Sequence, residues 1–326
     1  MKGLELSEKY YLVHGKKMLE EKFPEVAKRA AIGLVGQGSE CLGFDDEISM
    51  DHDYGPSFCI WLTKEDYEEY GGKVAREYER LPADFGGVQG RIVSAHGKGR
   101  VGVHSIPDFY YGLIGCEDTP ESNMEWLRIP ESGLCSAVNG KVFMDPLGEF
   151  SRIRNELLAF YPEDVRLKKI AARAAVMAQA GQYNYARAMK RGEHVAAQLS
   201  LDEFTKSTIS MVYLLNKKYT PFYKWMHRGM KELPILSEIG DILNLLVMTE
   251  EQAEAWGNTR AQDYLYALNT KDQRIIIVEA ICNLVLQELI SQGLTVGEDN
   301  FLENHTMYIM EKIKDPHIRA LQIMEG

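Results

Sequence analysis

Two short apolar runs, Ala-Ala-Ile-Gly-Leu-Val at 30–35 and Ser-Phe-Cys-Ile-Trp-Leu at 57–62, bracket the stretch Gly36-Gln-Gly-Ser-Glu-Cys-Leu-Gly-Phe-Asp-Asp-Glu-Ile-Ser-Met-Asp-His-Asp53. Runs of this length and composition predict buried strands. Gly36 and Gly38 end the first strand in a tight turn, where backbone can approach a ligand closely. Ser39 is placed to cap a short following helix, with its hydroxyl and the first N–H groups left for an anion such as a phosphate. If Asp51 and Asp53 already lie in extended backbone, period-two alternation puts both carboxylates on one face. Two carboxylates opposite a Gly-Ser turn make an oxygen-donor site for a hard divalent cation that also holds nucleotide phosphates.

The remaining chain divides by pattern. Up to about residue 148, strands, helices and glycine turns alternate. Thr63 is an N-cap for a helix running to about Leu81. Residues 90–106 predict two short strands joined at His96-Gly-Lys-Gly, residues 124–138 a helix closed by Asn139-Gly140, and residues 141–144 a last strand. From Glu149 onward long helical segments follow one another, with breaks at Pro162, Gly181, Pro221, Pro234 and Gly293. No period of 20–50 residues repeats, which argues against a solenoid. The expected fold class is α+β: a mixed sheet with flanking helices over 1–148, then an all-helical domain over 149–326.

Gly38-Ser39, followed by Asp51-His-Asp53 and with a strand before each half, resembles the motif of the polymerase-β-type nucleotidyltransferase superfamily. Kanamycin and lincosamide nucleotidyltransferases and minimal antitoxin nucleotidyltransferases belong to it. Phe160-Tyr-Pro-Glu-Asp-Val165 and Val212-Tyr-Leu-Leu-Asn-Lys-Lys-Tyr-Thr-Pro-Phe-Tyr-Lys-Trp225 are similar to segments of an uncharacterised bacterial nucleotidyltransferase family with a helical C-terminal half. The likeness spans about residues 30–235. It implies a nucleotidyltransferase-type catalytic domain and transfer of an NMP from an NTP, ATP first, to a small molecule, an RNA end or a protein hydroxyl. It also implies Mg²⁺, with Mn²⁺ as substitute. The other reading is a degenerate domain that binds nucleotide as a regulatory or antitoxin-like protein.

Residues are assigned on that basis. Asp51 and Asp53 are the metal ligands and catalytic acids, and Gly38 and Ser39 hold phosphate. Superfamily members offer a third acid on a later strand, but here residues 100–106 present His104 and Ser105. Asp108 and Asp145 are the substitutes considered, Asp145 being assigned to the metal with a helix or turn cap as its structural role. In the helical half, Lys217, Lys218 and Lys224 are phosphate contacts and Tyr219 or Tyr223 a nucleotide contact, against a basic helix end with core aromatics. Glu193 is the candidate general base, against an exposed helix charge paired with Lys190.

Composition narrows the surroundings. A net charge of −11 argues against broad nucleic-acid binding, which needs a basic surface. No apolar run approaches the roughly 20 residues that span a bilayer, and the N-terminus lacks a signal-peptide core, so cytoplasmic residence is the expectation. The five cysteines (Cys41, Cys59, Cys116, Cys135, Cys282) form no CxxC pair and read as free thiols.

Overall fold

The computed structural model describes residues 1–50, 53–94, 97, 99–257 and 269–326. It contains two compact units, one of Met1–Pro120 with Ile129–Phe160 and one of Glu121–Arg128 with Tyr161–Gly326. The first carries a four-stranded mixed sheet and the second, among the described residues, is helical, so the chain is α+β.

The sheet has the order β3-β2-β1-β4, with β1 at Ala31–Leu34, β2 at Cys59–Leu62, β3 at Gly102–Ser105 and β4 at Lys141–Met144. β1 lies antiparallel between β2 and β4, and β3 runs parallel to β2 with His104 opposite Trp61. Every residue of β1 and β2 is buried, which explains their unbroken apolar runs where a half-exposed strand would alternate. Tyr10, Tyr11, Met18 and Leu19 from the N-terminal helices pack with Ile32, Phe58, Ile60 and Val74. Trp61 points to the opposite face from Ile60. There it stacks on Phe150 of the helix Glu149–Leu158, ring centroids 4.0 Å apart.

In three places the structure departs from the sequence reading. Residues 91–94 form no strand, so the pair expected over 90–106 reduces to β3. The helix expected over 124–138 is two, Asn123–Arg128 and Glu131–Val138, because Pro130 cannot continue the first and starts the second. The helix expected to break at Gly181 runs through a wide turn, Ala178–Asn184, and ends at Gly192, whose φ of 71° makes it the left-handed terminator.

The second unit packs the helices Glu163–Met177, His194–Leu215 and Gln273–Ser291 around Ile170, Ala174, Phe204, Met211, Val278 and Val285, all buried. Charges inside it are bonded. Arg166 donates to the Leu214 carbonyl and to Glu163, at 3.1 and 2.9 Å. Lys168 donates to the carbonyls of Gln322 and Ile323 at 2.8 and 3.0 Å, and burial pushes its ammonium down to about 8.

Candidate functional site

β1 delivers the chain into the glycine turn. Gly36 and Gly38 have φ of 126° and 135°, values that side-chain-bearing residues rarely adopt. Asn139 fastens the turn: its Oδ1 accepts from the Gly36 N–H at 2.9 Å and its Nδ2 donates to the Gly36 carbonyl at 2.7 Å. One helical turn follows at Ser39–Leu42, with Gly38 as N-cap and Ser39 the first helical residue, so Ser39 is not the cap that its residue type suggested.

Asp53 is described and Asp51 lies outside the described residues, as does His52. Asp53 is not part of β2, which begins at Cys59. It sits in left-handed backbone at φ 54°, ahead of Gly55 and Pro56, so strand alternation does not set its direction. Its direction comes from Ser94 and Gly97. The Ser94 N–H donates to Asp53 Oδ1 at 2.9 Å and the Ser94 hydroxyl to Oδ2. Gly97 lies so close that a Cβ there would meet Asp53 Oδ1 at 1.8 Å, leaving room for glycine alone. Burial pushes the Asp53 carboxyl up, but the Ser94 bonds and the guanidiniums of Arg100 and Arg91 outweigh it and hold it below the usual carboxylate range.

Those two arginines link the turn to Asp53. Arg100 Nε donates to the Gln37 carbonyl at 3.0 Å, its Nη2 to Glu40 at 3.2 Å, and its Nη1 lies 3.8 Å from Asp53 Oδ2. Arg91 Nη1 donates to the Ser57 hydroxyl at 2.9 Å, and its Nη2 is 3.6 Å from Glu40. The Arg91 side chain is only 7% exposed, and its Nε and Nη2 make no hydrogen bond among the described residues. Two cations and two carboxylates thus face each other beside the turn, with donor capacity left over. Sequence reading passed over Arg91, Arg100 and Glu40. The available signal was Arg91 and Arg100 following the glycine-rich run Gly86-Gly-Val-Gln-Gly90, a composition suited to an anion.

The other candidates are placed elsewhere. On β3, His104 is mostly buried, and with no hydrogen bond to its Nε2 burial pushes its imidazole down to about 4. Asp108 is exposed in the first turn of the helix Ile106–Ile114. Asp145 accepts from the Gly148 and Ser151 N–H groups at 3.0 and 2.7 Å, so both its oxygens cap the helix Glu149–Leu158. In the second unit Glu193 is exposed at the N-cap of the helix His194–Leu215. Lys217, Lys218 and Lys224 are exposed, whereas Tyr219 is buried edge-on to Tyr161, so its ring is not offered to a nucleotide. The exposed rings beside it are Phe222 and Tyr223.

Among the described residues no three His, Cys, Asp or Glu side chains are grouped to hold a metal ion. Asp53 offers oxygen donors of the kind a hard cation takes, but Ser94 already engages both of them and Arg100 faces Oδ2.

A sequence profile described as "Domain of unknown function (DUF4037)" matches residues 126–226, a stretch that includes the Phe160–Val165 and Val212–Trp225 segments. No curated protein matches the chain. In structure it is similar to a nucleotidyltransferase-like protein from Exiguobacterium sibiricum 255-15, with 10% identity, a TM-score of 0.36, and 94% of this chain and 91% of that one covered.

Proposed function

We propose that this protein is a Mg²⁺-dependent nucleotidyltransferase that moves an NMP from an NTP, ATP first, onto an acceptor hydroxyl. The observation that supports it is that one guanidinium, Arg100, reaches from the Gln37 carbonyl of the glycine turn to Asp53. The turn and the acid therefore lie within reach of one guanidinium. In this reading the Gly36–Ser39 backbone and the Ser39 hydroxyl receive phosphate oxygens, and Arg91 and Arg100 offset their charge. Asp53, with Asp51, would hold the Mg²⁺, which when bound supplies charge compensation for the phosphates. The acceptor oxygen bonds to the α-phosphorus as the bond to pyrophosphate breaks, and the hydroxyl proton passes to a base, for which Glu193 is the candidate.

Pyrophosphate release and calorimetric titration with ATP and Mg²⁺ test this reading. Asp53→Asn is expected to slow release at least about 100-fold, and Glu193→Gln to slow it with nucleotide binding retained. No nucleotide binding by the wild type, or equal release from Asp51→Asn/Asp53→Asn, refutes it. A second reading, a nucleotide-binding regulator, is favoured by one observation: β3 offers His104 and Ser105 where a third acid is expected. Tight ATP binding without pyrophosphate release across an acceptor library would select it.

A further inference from the structure

The segment 204–231 contains six Lys or Arg and no Asp or Glu, in a chain with 37 basic and 48 acidic residues. Charge segregated this way creates a local positive field that the net charge conceals. The structure puts much of it on one short stretch of the second unit's surface: Lys217, Lys218, Lys224 and Arg228 are exposed. Lys217, Lys218 and Lys224 have no carboxylate partner among the described residues, whereas Lys231 is paired with Asp241 at 3.0 Å. Between them stand two large exposed rings, Phe222 at 54% and Tyr223 at 69%, with centroids 4.6 Å apart. Trp225 lies under two cations, 5.3 Å from Lys224 Nζ and 5.7 Å from the Arg228 guanidinium.

The backbone carrying these groups is fixed. The Tyr213 hydroxyl donates to the Met226 carbonyl at 3.1 Å, and His227 Nε2 is 2.9 Å from the Gly240 carbonyl. Asn216 bonds both backbone groups of Ile235, at 2.8 and 3.0 Å. Neighbouring aromatics face inward, Tyr219 against Tyr161, so the exposure of Phe222 and Tyr223 does not come from a loose segment.

We infer that this surface binds single-stranded nucleic acid. Unstacked bases present π faces to Phe222 and Tyr223, while the backbone phosphates run along Lys217, Lys218, Lys224 and Arg228. An exposed aromatic pair flanked by spaced cations suits a strand of several nucleotides better than a single nucleotide, which needs enclosure. Resting on the nucleotidyltransferase reading, this makes the acceptor hydroxyl a strand end.

The test is fluorescence anisotropy with a labelled oligo-uridine of about a dozen nucleotides, alongside oligo-thymidine and an RNA duplex, from about 50 to 200 mM salt. The wild type is expected to bind single strands, with affinity falling steeply with salt. Lys217→Ala/Lys218→Ala/Lys224→Ala weakens binding at least about tenfold and flattens the salt slope. Phe222→Ala/Tyr223→Ala weakens it about tenfold or more with the slope kept. Preference for uridine or thymidine strands names the source. No binding at low salt, equal binding of the duplex, or wild-type binding by variants that melt like the wild type overturns the inference. Pyrophosphate release by a wild type that binds no single strand overturns this surface alone. Patch-dependent strand binding without pyrophosphate release keeps the surface and removes the nucleotidyltransferase.

Discussion

Positive charge is handled in opposite ways in the two units. Beside the glycine turn, Arg91 and Arg100 are largely withdrawn from solvent, with side-chain exposures of 7% and 16%, and both lean on Glu40, itself 8% exposed. On the second unit, Lys217, Lys218 and Lys224 stand in solvent with no carboxylate partner among the described residues. A buried charge is tolerated only when paired, so the first cluster is bound up with the fold that carries it. An exposed lysine adds almost nothing to stability, so the second cluster has physical consequences only when an anion arrives. Cationic side chains therefore act as architecture in one place and as a contact surface in the other.

The contrast can be broken by mutation. Glu40→Ala leaves two guanidiniums facing each other without their shared carboxylate and is expected to cost about 3–5 kcal/mol, read as a shift in the denaturant midpoint. A cost below about 1 kcal/mol would mean that the charges are not bound up with the fold.

His104 sharpens the rule from the other side, as a half-buried ionisable group whose buried Nε2 has no partner among the described residues, and it stays neutral. The unfolded chain takes this proton near pH 6.5 and the folded chain only near 4. Its contribution is therefore complete above pH 6.5 and lost as pH falls toward 4, by about 3 kcal/mol in all. His104→Asn should flatten that acid limb in melts run from pH 7 to 4.5.

Gly38→Ala sets a Cβ 2.1 Å from Arg100 Nη2 in backbone at φ 135° and is expected to cost about 2 kcal/mol. Arg100→Ala should relieve part of that cost in the double variant. The smallest effect belongs to the exposed cluster: Lys218→Ala should change stability by less than about 0.5 kcal/mol while weakening strand binding.

How much of this was legible follows from sequence distance. β1 and β2 announced themselves because each is a local run whose burial shows in its own residues, and the half-exposed β4 because a short apolar run follows the Asn139-Gly140 turn. The glycine turn was legible for the same reason, since only local backbone demands glycine there. Asp53 was readable as an acid but not in its geometry: Gly55 and Pro56 delay the strand, and Ser94 sets its direction from 41 residues away. The Arg100–Glu40 pair, 60 residues apart, leaves no local periodicity and could not be paired by eye. In the helical unit, Gly181 looked like a terminator and Gly192 acted as one, because the backbone conformation of each is decided by packing its neighbours cannot report.

The two hydrogen bonds between Gly36 and Asn139 have a kinetic consequence. They close a loop of 103 residues, and β1 also waits for β4 at Lys141–Met144 before its second edge is paired. Contacts of such long range form late, because the entropy of closing the loop comes before any gain from the bond. During synthesis the glycine turn would thus remain unfastened until Asn139 had emerged and returned to it. A chain truncated before Asn139 keeps every residue of the Gly36–Asp53 stretch and lacks the clasp that shapes it.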